Sequence, residues 1–264
     1  MNNPLRTGVQ LENRFHITEL VGQGEDRAAY LAADLDQGGA WTLVWESLEM
    51  FRLRRKPQGA LSYFAQGERH YLVLRLEGQD LGMIYHAAGV LEESWAALWM
   101  AQVCDAIGQW HTRAVDRLVC LDAGPIRLGN LKIMATGRAI LPSRDLLAQP
   151  LEALVAGQTL GFSAPEAAAG GRLTAHSDVY ALGAVTYCLV TGSPPPEPEV
   201  LAAGQAELIP PRRVVHQISG RLEKVILKAM DLDPAQRFES AVQLSFELDR
   251  CVPRRLRRHR IGEF

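Results

Sequence analysis

The sequence predicts an α+β protein of two unequal parts, a small antiparallel β-lobe followed by a larger, mainly helical lobe. Three observations predict it. Residues 14–80 carry short apolar runs separated by glycine-bearing turns. From Leu91 onward apolar residues recur at helical spacing instead. No internal repeat interrupts this order, and a chain of 264 residues that is 47% apolar and 22% charged can bury a sizeable core.

Phe15, Ile17, Leu20 and Val21 form the first apolar run, which leads into Gly22-Gln23-Gly24. Two further runs, within AAYLAADLDQGGAWTLVWESL, flank Asp36-Gln37-Gly38-Gly39, a turn-forming sequence. ALSYFAQGERHYLVLRLEG holds two more strands around Gln66-Gly67-Glu68, so the small lobe is a sheet of about five strands. Leu91 to His111 reads as one long, largely buried helix with Gly108 its only breaker. Leu118 to Leu141 breaks into short apolar pieces at Gly124-Pro125, Gly129-Asn130 and Thr136-Gly137, which reads as loops and short strands. Ser177-Asp178 opens an apolar helix that stops at Gly192 with prolines beyond, and two more helices span Gly220 to Met230 and Glu239 to Cys251.

Composition excludes several function classes. A net charge of −2 gives no electrostatic reason to expect nucleic acid. The longest apolar run, Val179 to Val190, is 12 residues, well short of the ~20 that a bilayer requires. The N-terminus lacks the apolar stretch of a secretory signal. Cys104, Cys120, Cys188 and Cys251 have no metal-ligand spacing and suit a reducing cytoplasm, where the chain is expected to reside. The charge is unevenly spread: residues 254–260 read RRLRRHR, and without residues 254–264 the chain has 23 basic and 29 acidic residues. This basic tail is expected to be a solvated linker, or to touch an anionic membrane or a partner.

Three segments of the large lobe share a pattern. Gly161-Phe-Ser-Ala-Pro-Glu166 is followed by Ser177-Asp-Val-Tyr-Ala-Leu-Gly183, with Val190-Thr-Gly192 at the end of that helix, and then by Leu222 to Leu244, which contains Asp233-Pro-Ala-Gln-Arg237-Phe238. In this order and at these distances they resemble the bacterial eukaryotic-like (Hanks-type) serine/threonine protein kinases, over residues 14–251. The resemblance implies a two-lobed protein-kinase-like fold: an N-terminal extension at 1–13, an N-lobe at 14–80, a C-lobe at 81–252 and a basic tail or linker at 253–264. It also implies that Glu166 pairs with Arg237, a carboxylate and a guanidinium joined by two parallel hydrogen bonds. Asp178, at a helix N-terminus, can cap backbone N–H groups, and in the family it holds the catalytic loop. These three residues are expected to fix the fold.

The positions that carry phosphoryl transfer in the family match less well. Its glycine-rich loop corresponds to Gly22-Gln-Gly24-Glu-Asp-Arg-Ala-Ala29, where Arg27 replaces the third glycine and Glu25 and Asp26 place carboxylates at the tip. Counting forward, Trp41-Thr-Leu-Val44 takes the place of the lysine-bearing strand. Val44 then stands at the lysine position, or Trp45 if the count slips by one. Only about 20 residues separate Val44 from the strand holding Tyr63-Phe64, so the helix that follows that strand in the family, αC, is expected to be mostly missing. Ser143 falls where the metal-binding aspartate belongs, and Mg²⁺ needs carboxylate oxygens. If Asn130 matches the asparagine of the family's catalytic loop, Pro125 stands at the base position, and the nearby Asp122 is eight residues from Asn130 instead of five; Asp145 would need a slip of two residues to reach the metal position.

The expectation is therefore no catalytic residue, no bound cofactor and no metal: a pseudokinase, not an enzyme. It would act as a regulatory or scaffolding module for a protein partner (an active kinase, a phosphatase or an attached domain) and could form the front of a longer signalling protein. The alternative is an atypical nucleotide-dependent transferase that uses the displaced Asp122, Asn130 and Asp145.

Overall fold

The computed structural model describes residues 4–23, 27–47, 60–75, 79–80, 84–85, 88–113, 132–133, 139–140, 162–168 and 174–257. The small lobe is a six-stranded antiparallel sheet of strands β1 (Gln10–Leu11), β2 (Phe15–Gln23), β3 (Arg27–Asp34), β4 (Ala40–Ser47), β5 (Ala60–Gln66) and β6 (Arg69–Arg75), in the order β1-β2-β3-β4-β6-β5. Its turns fall where the sequence sets them: Gly38 and Gly39 between β3 and β4, and Gly67 between β5 and β6, all at positive φ. The sheet starts earlier than residue 14. Gln10 and Leu11 pair with His16 and Phe15 through a turn in which Glu12 and Asn13 take positive φ. A second, three-stranded sheet joins β7 (Gln79–Asp80), β8 (Lys132–Ile133) and β9 (Ala139–Ile140). Of the stretch expected to lack the αC helix, 45–62, the two ends belong to β4 and β5, and residues 48–59 lie outside the described residues.

The two faces of the small-lobe sheet bury different partners, as the two-residue period of a strand requires. Tyr30, Val44 and Val73 point to one side and pack with Leu11, Phe15 and Ile17 in a core of the small lobe's own. Ala29, Leu31, Leu43 and Trp45 point to the other and join a core continuous with the large lobe.

The large lobe comprises α1 (Glu93–Arg113), α2 (Pro165–Ala168), α3 (Ala175–Thr191), α4 (Pro198–Ala202), α5 (Pro211–Val214), α6 (Gly220–Ala229), α7 (Ala241–Asp249) and α8 (Arg254–Arg257). Helix α3 is its axis: every residue from Ser177 to Thr191 is buried. It ends at Gly192, whose φ of 80° suits a glycine and whose N–H closes on the Cys188 carbonyl. The N-terminus of α1 is tied to the start of α6, because both Glu93 carboxylate oxygens accept from Ser219, one from its N–H and one from its hydroxyl. Leu256 on α8 is buried in the shared core, so part of the expected linker is built into the fold.

Candidate functional site

The junction of the lobes is formed by the end of β2 and the segment that leads into α1. Leu91 forms an antiparallel bridge with Gly22. The Gln23 N–H donates to the Val90 carbonyl at 2.9 Å and the Glu92 N–H to the Val21 carbonyl at 2.8 Å. On its other side Leu91 N–H reaches the Leu189 carbonyl of α3 at 2.8 Å. The backbones approach so closely that a Cβ on Gly22 would stand 2.1 Å from the Val90 oxygen. Gly22 is thus required by this contact between lobes. Gly24, Glu25 and Asp26 lie outside the described residues.

The face of the small lobe that meets the large lobe is where a nucleotide site would be sought. The β3–β4 register sets Ala29 opposite Trp45 and Tyr30 opposite Val44. Val44 is fully buried on the far face, and the residue of β4 that faces the large lobe is Trp45, the alternative that a slip of one residue gives. Arg27 shares the strand face of Ala29 and Leu31 and is half-buried. Its positive charge is felt by Tyr85, whose hydroxyl burial pushes well above the usual range and which donates to the Gly192 carbonyl at 2.6 Å. A guanidinium there suits phosphate oxygens, with five N–H donors in a fixed fork. Ala29 and Leu43, on the same face, are fully buried.

In the large lobe the structure brings Glu166 and Arg237 together. Arg237 donates from Nη1 to Glu166 Oε1 at 2.8 Å and from Nη2 to Oε2 at 2.9 Å, and its guanidinium lies over the Tyr180 ring at 5.0 Å. Burial alone would raise the Glu166 carboxyl. The bonds from Arg237 and from Ser177, whose hydroxyl donates at 2.8 Å, outweigh it and hold the carboxyl below the usual carboxylate range. Asp178 does not cap its helix. Its Oδ2 lies 2.6 Å from His111 Nε2, while Ser177 Oγ accepts from the N-terminal Thr174 N–H. Burial pushes the Asp178 carboxyl up, and its Oδ1 has no hydrogen-bond partner among the described residues. His111 and Ser177 carried no sequence signal for these roles. Ser143, Asp122, Asn130 and Asp145 fall outside the described residues, and among the described ones no cluster of three metal-ligating side chains forms.

No protein-family model matches the chain. Its sequence is 33% identical over 276 residues to a probable serine/threonine-protein kinase of Corynebacterium efficiens, covering 90% of the chain and 41% of that protein. It is 29% identical over 283 residues to the serine/threonine-protein kinase PrkC of Bacillus subtilis (94% and 43%), and 27% identical over 281 residues to PknB of Mycobacterium tuberculosis (93% and 44%). The chain thus spans less than half the length of these relatives. Among solved structures, the apo form of PpkA-294 superposes with a TM-score of 0.51 at 20% identity, covering 94% of this chain and all of that one. The PknI kinase domain of Mycobacterium tuberculosis superposes with a TM-score of 0.50 at 17% identity, covering 94% and 99%. The fold is therefore that of the protein kinases. The expectation of a non-enzyme is corrected by the relatives, which are named as protein kinases, a class of enzymes, and match along nearly the whole chain. That expectation rested on counting residues through turns and short strands, where one insertion shifts every later position.

Proposed function

We propose, from the chain's kinship with the bacterial Hanks-type serine/threonine protein kinases, that it is the kinase domain of a signalling protein and transfers phosphate from a nucleotide to protein hydroxyls. The single observation that carries the proposal beyond kinship is the placement of Arg27. Phosphoryl transfer is mostly a matter of positioning the phosphates and answering their charge. Trp45 supplies no charge at the lysine position. Arg27, one strand over and two positions along from Ala29, the residue paired with Trp45, supplies a guanidinium on the same face. The domain works in the cytoplasm, where nucleotide is available, and its protein contacts include its substrates. The basic side chains of Arg254 and Arg255, exposed on α8, offer a further contact for an acidic partner.

The test is transfer of labelled phosphate from ATP, with Mg²⁺ or Mn²⁺, to the chain itself and to a serine- and threonine-rich peptide, alongside thermal melting with the nucleotide. Transfer is expected, with melting raised by saturating nucleotide; occupancy at 100 times Kd stabilises by about 2.7 kcal/mol. Arg27→Ala should weaken nucleotide binding at least about tenfold, equivalent to ~1.4 kcal/mol, and Arg27→Lys should restore part of it. Absence of both transfer and a nucleotide-dependent shift overturns the reading. Activity indifferent to Arg27 overturns its role.

A further inference from the structure

Beside the bridge between the lobes lies a cavity of about 530 Å³ that the proposed phosphoryl transfer does not use. One wall comes from β2 (Leu20, Gly22), a second from Val90 and the start of α1, a third from the end of α3 and the loop before α6 (Val190, Val215, Ile218), and the last from Cys251 and Pro253 after α7. Its volume is that of a site for a ring-sized organic molecule, and its walls are mainly apolar.

The polar groups in the wall decide what kind of molecule. Among the described residues the lining holds no Lys, Arg or His, its two formal charges are the carboxylates of Glu92 and Glu93, and Gln23 and Gln217 add neutral amides. The Cys251 thiol adds no anion, because burial pushes it up to about 12. Phosphates and carboxylates are thus repelled. A cation is not favoured either: both Glu93 oxygens already accept from Ser219, and Glu92 is exposed at the rim. Ser94, 5% exposed, lines the cavity, and its hydroxyl makes no hydrogen bond among the described residues. A buried hydroxyl without a partner is unfavourable, and rotation about one torsion lets it donate to an acceptor.

We propose that this cavity is a binding site for an uncharged, mainly apolar ring-sized molecule bearing a carbonyl, whose oxygen accepts from Ser94. Such a molecule touches both lobes across the Gly22–Leu91 bridge, so it binds the closed arrangement in preference to an open one and shifts the population toward it.

The probe is 6-propionyl-2-(dimethylamino)naphthalene, a neutral ring system with one carbonyl whose emission moves to the blue in an apolar site. Titrated into the full chain, it should bind saturably at one site with blue-shifted emission. 2-Acetylnaphthalene should displace it and 2-naphthoate should not. Ser94→Ala should weaken binding several-fold and Val215→Trp, which fills the cavity, about tenfold or more. Because a filled cavity can also impair folding, a second readout uses the unaltered chain: the bound probe should slow hydrogen exchange of the Gln23 and Glu92 N–H groups, whose bonds join the lobes beside the cavity. Lack of saturable binding, equal displacement by 2-naphthoate, or binding that leaves exchange at Gln23 and Glu92 unchanged overturns the proposal, as does affinity undiminished in a folded Val215→Trp chain.

Discussion

Arg237 uses every donor it has. Nε donates to the Asp231 carbonyl, Nη1 to Glu166 and the His176 carbonyl, and Nη2 to Glu166 and the Leu232 carbonyl. At 3% exposure it has almost no water to fall back on. Glu166→Ala removes the one countercharge and leaves two donors unmet, so it should cost about 3–5 kcal/mol in denaturant unfolding. Glu166→Gln, which keeps one acceptor oxygen, should cost less. The pH dependence follows from the lowered Glu166 carboxyl. A carboxyl with a lower value in the folded than in the unfolded state contributes stability above its ordinary value of 4.5 and loses it as pH falls through the lowered one. The gap in stability between the unaltered chain and Glu166→Gln should therefore be constant at neutral pH and narrow in acid; a gap that widens in acid contradicts the ion pair. The Glu166–Arg237 partnership was legible because each residue sits in a sequence pattern of its own. The Asp178–His111 contact was not, since a histidine at a helix end carries no mark of what it will meet.

Elements were more legible than the contacts between them. The β3–β4 and β5–β6 hairpins follow from their glycine turns, and α3 from its apolar run and Gly192. Strand β1 escaped notice because a two-residue strand has no period to read, and its turn uses Glu12 and Asn13 at positive φ, where glycine is the usual marker. The facing of β4 also could not be fixed by counting: a slip of one residue exchanges Val44 for Trp45 and reverses the face of the sheet. The bridge between β2 and the Val90–Glu92 segment is a tertiary pairing, visible beforehand only as a glycine. Gly22→Val should force that pairing apart at a cost of about 1–3 kcal/mol, as overpacking of a tight contact does. Amide exchange locates the damage. The N–H groups of Gln23 and Glu92 should lose protection while those within α3 keep theirs; protection retained at both would show that the bridge does not hold the lobes together.

At the scale of the whole molecule, one continuous core runs from Val21 in the small lobe through α1 and α3 to Leu256 in α8. Two lobes that share a core should unfold together, in a single transition among the elements it joins. The charged tail is where this coupling is easiest to misjudge. Its arginines suggest a solvated or electrostatically docked segment, and Arg255 does approach Glu19 of β2, but at 3.9 Å and with the arginine 61% exposed. An exposed pair of that kind contributes only ~0–1 kcal/mol and is weakened by salt. Leu256 is a different matter: 1% exposed, it loses both transfer free energy and packing when truncated, about 2–5 kcal/mol for Leu→Ala in a core. Helix α8 is thus held more by its apolar residue Leu256 than by the exposed Arg255. Leu256→Ala should lower the unfolding midpoint clearly at low and high salt alike. Arg255→Ala should move it little, and less still at high salt. A larger effect of Arg255 than of Leu256, or a Leu256→Ala effect that disappears in salt, would mean that charge docks α8 on the small lobe.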